Sequence, residues 1–264
     1  MYKLTRRFPE TIEKTVEMDG YKLKLYIIRP SNIIDKPLPV FLFIPSNGSF
    51  HQGHACHSST ALELVNLTGH AAIYVIPKME NNDDVYAFQV FAALKWIAAY
   101  GHEADIDSHK IAAVGFQCGG HIAAIITLLA AENCWPKVKL QILIWPEFKN
   151  NRPLHRINSL AVKTNEWCNL REVYDSPLNV KFHGLSGLPP TLIQKQQNAA
   201  HNHEIDYYES KLRDAGSNVD VMFYNCYQEN YNPGKPLNPD KNNLLFVHAA
   251  AEMKKYLILF LFTI

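Results

Sequence analysis

Val114-Gly115-Phe116-Gln117-Cys118-Gly119-Gly120-His121 is the stretch on which the fold turns. Before it, Lys110–Gly115 (KIAAVG) reads as a short buried strand. After it, Gly119–Ala131 is an Ala- and Ile-rich helix too apolar to be a surface element. A strand, a glycine-flanked turn and a buried helix in that order make a nucleophile elbow, which lifts one side chain above the end of a sheet. Small residues flank such a turn because strand and helix backbones pass closely. We read cysteine where serine usually stands, which makes Cys118 the candidate nucleophile. At a helix N-terminus the free N–H groups and the dipole favour an anion, so a thiol there is expected to ionise readily. The competing reading of Cys118 is a small buried core residue.

Outward from the elbow, apolar strands alternate with helices. Tyr21–Arg29 (YKLKLYIIR) has period-two patterning, closes at Pro30 and predicts an exposed strand. Pro39–Ile44 (PVFLFI), Ala71–Ile76 (AAIYVI), Leu140–Trp145 (LQILIW), Thr191–Gln194 and Val219–Tyr224 predict buried strands. Helical spacing runs through Asp84–Tyr100, Glu204–Ala215 and Leu244–Leu259. The pattern predicts an α/β class with a mostly parallel central sheet flanked by helices on both faces, in one domain spanning 1–264. Ligands in such sheets sit at the carboxyl ends of the strands. The polar, irregular interval 150–188 breaks the alternation and is placed to act as a short cap over those ends.

The 264 residues are 47% hydrophobic and 19% charged, with Lys+Arg 26 against Asp+Glu 25. A formal net charge of +1 supplies no basic field, so nucleic acid is excluded as a partner. The first twenty residues lack the apolar core of a signal peptide, and no apolar run has the length of a membrane span. Five cysteines (Cys56, Cys118, Cys134, Cys168 and Cys226), an odd number without a pairing pattern, point to free thiols in a reducing cytoplasm. Gly115-x-x-x-Gly119-Gly120 lacks dinucleotide-fingerprint spacing, and no cofactor is expected.

In the order and separation of its segments the chain resembles the α/β-hydrolase superfamily, most closely the hormone-sensitive-lipase-type esterases, over nearly its whole length. The segments are Leu38–Ile44 with Phe50, Ala93–Gly101, Asp107–Gly120, Gln141–Pro146, Ser176-Pro177-Leu178, Gly187–Gln194 and Lys211–Gly216. The resemblance implies an α/β-hydrolase fold with a reduced cap at 150–188, and an ancestry in ester hydrolysis.

Its departures carry the functional argument. Where the family's oxyanion loop reads His-Gly-Gly-Gly-Phe, this chain has Ser46-Asn47-Gly48-Ser49-Phe50. Asn47, Gly48 and Gly119 remain as candidate oxyanion donors, and each lost donor costs roughly 3–4 kcal/mol of transition-state stabilisation. The family's acid aligns with Ala199 and its base histidine with Glu229, and no histidine occurs between His203 and His248. Ser to Cys118, His to Glu229, Asp to Ala199 and the altered glycine loop together imply a lost triad. Moving a proton from an unperturbed Cys to an unperturbed Glu is uphill by ~4 pK units, roughly 5–6 kcal/mol. Two anions side by side would share one proton, a poor arrangement for acyl transfer.

Three functions follow as expectations, the last a structural or interaction module that uses the fold surface and leaves the pocket closed. The first is a pseudoenzyme of hydrolase fold that binds a small apolar or acyl ligand, or a protein partner. The second is a Cys118 hydrolase or acyltransferase acting on esters, thioesters or lactones, with Glu229, His201 or His203 moving protons. A homodimer is the further partner class. His51-x-x-His54-x-Cys56-His57 has ligand-type spacing, but no second cluster completes a metal site, and no metal is assigned.

Overall fold

The computed structural model describes residues 9–31, 37–45, 55–76, 83–148, 176–180, 182–197, 201–224, 251 and 254–255. The strands are β1 (Glu10–Met18), β2 (Tyr21–Arg29), β3 (Leu38–Ile44), β4 (Ala71–Ile76), β5 (Ile106–Phe116), β6 (Val138–Ile144), β7 (Thr191–Gln196) and β8 (Val219–Tyr224). The helices between them are α1 (Ala55–Thr68), α2 (Asp83–Tyr100), α3 (Cys118–Glu132) and α4 (Asn202–Asp214). All eight strands form one sheet in the order β1-β2-β4-β3-β5-β6-β7-β8. β2 runs antiparallel to both its neighbours, and every pair from β4 to β8 is parallel. The mostly parallel sheet with flanking helices is the architecture the alternation predicts.

Parallel strands covered on both faces read as unbroken apolar runs, and β3 is buried along all seven residues. Two apolar layers result. Leu42, Ile44, Ala113 and Leu143 face Ile97, Ile122, Ile126 and Leu212 of α2, α3 and α4. Phe41, Phe43, Val114 and Ile142 belong to the opposite layer with Leu64 and Val65 of α1. Every residue of α3 from Gly119 to Ala130 is buried, as its composition predicts. Thr127 within it is satisfied locally: its hydroxyl donates to the Ala123 carbonyl at 2.7 Å.

β2 differs from the exposed strand expected of it. It lies second from the edge, with Leu23, Leu25, Ile27 and Ile28 buried. The edge on that side is β1, a strand that the apolar patterning misses because only Val16 along it is buried. The two strands join through Asp19 and Gly20, both at positive φ (50° and 79°), a two-residue turn whose twist suits a hairpin. Leu244–Leu259 lies outside the described residues apart from 251, 254 and 255, which are helical. Most of 150–188 lies outside them too.

β3 connects to β4 on one side and pairs with β5 on the other, so the chain reverses direction across the sheet between β3 and β5. Strand ends beside such a reversal form a crevice. Ile44 pairs with Gly115 at that point, which brings the end of β3 level with the start of the elbow.

Candidate functional site

The elbow is built by close backbone contact. A Cβ placed on Gly115 would lie 2.3 Å from the Gly119 carbonyl oxygen and 2.7 Å from the Ala123 Cβ. One on Gly119 would lie 2.0 Å from the Ile44 carbonyl oxygen, and one on Gly120 would lie 2.8 Å from the Pro146 Cβ. Only glycine lets β5, the first turn of α3 and the end of β3 meet this tightly.

Between these glycines, Gln117 has φ 52° and ψ −119°, the strained strand-to-helix conformation that presents a nucleophile. Its N–H donates to the Ile144 carbonyl at 2.9 Å, and its own carbonyl accepts from the N–H groups of Gly120 (2.8 Å) and Glu147 (3.2 Å). This corrects the sequence reading by one residue. The apex is Gln117, and Cys118 is the first residue of α3. The physical reason is spacing: contacts of Gly115 and Gly119 fix the turn, and the residue midway between them is 117.

Cys118 is half-buried, and its thiol donates to Glu147 Oε2 at 3.2 Å. Sequence reasoning missed Glu147. It follows β6 through Trp145, whose φ of 48° turns the chain, and Pro146. One helical turn beyond Cys118, the buried His121 ring donates from Nδ1 to the Phe148 carbonyl at 3.0 Å. The first turn of α3 therefore grips Glu147 and Phe148 together. At the carboxyl ends of β5 and β6, the half-buried Phe116 and Trp145 rings lie 5.4 Å apart. The arrangement sets a thiol against a carboxylate at the elbow, while the two aromatic rings pack against the layer that α1 covers.

Of the other candidate residues, Gly119 stands in the first turn of α3 against Ile44. His201 precedes α4 and is exposed; His203 is exposed in its first turn, with Nε2 3.8 Å from Glu204 Oε1. Asn47, Gly48, Ala199 and Glu229 lie outside the described residues, as do the side chains of His51, His54, Cys56 and His57. Among the described residues no group of three His, Cys, Asp or Glu side chains could hold a metal ion. Among them, too, no helix is long and apolar enough to cross a membrane. Next to the last residue of β7 is the buried Lys195, whose ammonium meets Asp206 and, at 2.8 Å, Glu209 of α4.

Comparison with known proteins agrees with this geometry. A family model described as the α/β-hydrolase fold matches residues 84–228. A protein of Acanthamoeba polyphaga mimivirus described as an α/β hydrolase is 25% identical over 229 residues. That alignment takes in 78% of this chain, which spans 66% of the viral protein's length. The crystal structure of a thermostable esterase from Pseudomonas putida is 28% identical, with a TM-score of 0.80, 99% of this chain covered and 86% of that one. A hyperthermophilic esterase from Pyrobaculum calidifontis, 21% identical, shares the fold at a TM-score of 0.74 over 94% of this chain and 86% of its own.

Proposed function

This chain belongs to the α/β-hydrolase-fold family, and we propose that it has left the family's triad chemistry and works as a binding protein at the inherited crevice. The observation that carries this reading is Gln117 at the apex. A carboxamide has no ionisable nucleophile, so the position that attacks a carbonyl in this fold offers only hydrogen bonds. The alignment of Ala199 with the acid, of Glu229 with the base and of Asn47-Gly48-Ser49 with the glycine loop supports the same conclusion. The ligand class is a small apolar or acyl compound: the Phe116 and Trp145 rings supply apolar contact, and the Gln117 amide suits a carbonyl group. A reducing cytoplasm accords with Cys118 and Cys134 standing outside any disulfide. A second copy of the chain is the proposed protein partner.

The test has two arms. Purified protein is assayed with p-nitrophenyl acetate and butyrate, and native mass spectrometry is run against a library of fatty acids, acyl esters and lactones. The expected result is no turnover above the uncatalysed rate, with retention of at least one acyl ligand that Gln117→Ala weakens. Turnover abolished by Cys118→Ala would instead establish the Cys118 hydrolase, with Glu229, His201 or His203 as proton carrier. Neither turnover nor ligand retention would leave the fold surface as the functional part.

A further inference from the structure

The Cys118–Glu147 contact is held from several sides. Glu147 is tied by its N–H to the Gln117 carbonyl at 3.2 Å. Before it, Pro146 rests against Gly120; after it, the Phe148 carbonyl is bound by His121 at 3.0 Å. The carboxylate is thus set against the sulfur by backbone anchors on both sides, at 3.2 Å.

We infer that Glu147 is a guard for Cys118: a positioning residue that keeps the thiol protonated and non-nucleophilic at the N-terminus of α3. The hydrogen bond needs the proton on sulfur. Ionisation would remove the donor and set a thiolate against a carboxylate, a like-charge pair that disfavours the charged form. Handing a proton from an ordinary thiol to an ordinary carboxylate is uphill by ~4 pK units, so the bonded proton stays on sulfur. The pull of the helix N-terminus toward a thiolate is therefore opposed by a carboxylate fixed beside it. The inference concerns the same site as the proposed function and rests on its view that Cys118 is not a working nucleophile. Ligand retention can fail without affecting it.

The experiment is alkylation of the full chain by iodoacetamide from pH 6 to 9, followed at each cysteine by peptide mass spectrometry. Cys134, free and exposed, is the internal reference. In the unmodified protein Cys118 should react more slowly than Cys134 throughout. Glu147→Gln should speed Cys118 about tenfold near pH 7.5 and move its profile to lower pH, because rate follows the thiolate fraction. Glu147→Asp keeps the charge and should stay within about threefold of the unmodified protein. Cys118 reacting faster than Cys134 in the unmodified protein would overturn the inference without any variant. So would a Glu147→Gln rate that is unchanged or slower, the latter making Glu147 a base. Equal acceleration in both variants would show that packing, not charge, protects the thiol, and would overturn it as well. Ester turnover that depends on Cys118 would defeat the proposed function by a separate readout.

Discussion

Gln117 holds φ 52° and ψ −119°, a conformation that costs a residue bearing a side chain about 1–3 kcal/mol. Gln117→Gly relieves that strain and gives back about 0.5–1 kcal/mol through the freer unfolded chain. The expected net effect is a gain of about 1 kcal/mol, read as a higher urea midpoint at unchanged slope. Gly115→Ala should act in the opposite sense. Its Cβ would meet the Gly119 oxygen at 2.3 Å, so a loss of about 3 kcal/mol or more is expected in the same titration. Gln117→Ser, with a nucleophile restored but Ala199 and Glu229 in place, should still release no p-nitrophenol above the uncatalysed rate. The glycines of this turn were legible as such in the sequence. The apex was misplaced because cysteine has nucleophilic chemistry and glutamine has none, so chemistry drew the assignment away from spacing. Glu147 was illegible for another reason. It reaches Cys118 only because β5 and β6 pair in parallel, Phe116 against Ile144, which sets the residues after each strand side by side.

Single elements divided along the same line, between what a segment buries and what it meets. β4 occupies Ala71–Ile76, the bounds its apolar run predicts, because a strand covered on both faces carries its burial in its own sequence. β8 takes the predicted bounds Val219–Tyr224 but not the predicted burial: it is the sheet's other edge strand, with Phe223 66% exposed. β1 (ETIEKTVEM) carries none, and its signal is the Asp19-Gly20 turn after it. Charge inside an element is the harder case. Lys195 lies in β7 with 1% exposure, an unusual place for an ammonium, and α4 answers it with Asp206 and Glu209 one turn apart. Removing both carboxylates leaves a buried cation unpaired, so Asp206→Ala/Glu209→Ala should cost about 3 kcal/mol. Lys195→Met replaces the charge by an apolar chain of similar length and should cost only about 1 kcal/mol, since buried pairs contribute little net stability. Urea midpoints of the two variants test the ordering. A larger loss in Lys195→Met would mean that the cation, and not its burial, stabilises the docking of α4.

At the scale of the whole molecule, one buried histidine collects influences from distant parts of the chain. His70 stands between the end of α1 and the start of β4, 4% exposed, with its Nδ1–H donating to the Thr68 carbonyl at 2.8 Å. Burial holds its pKa below the ordinary histidine value; Lys254 and Lys110 push the same way, and the Thr68 carbonyl opposes them. Lys110 belongs to β5 and Lys254 is far from His70 in sequence, so the imidazole responds to charges brought together by the fold. The sign of the linkage follows from proton binding. The unfolded chain takes up a proton near pH 6.5, whereas the folded chain does so only at lower pH. Between the two values the unfolded state binds more protons. His70 therefore contributes stability that is complete above about pH 6.5 and lost as pH falls through the depressed folded value. His70→Gln removes the titration while keeping a side-chain donor for Thr68. Between pH 7.5 and 5.5, above the range where most carboxylates protonate, the unmodified protein should lose more unfolding free energy than His70→Gln does. Parallel losses in the two proteins would place the acid sensitivity elsewhere, and a loss on raising the pH would reverse the sign derived from burial.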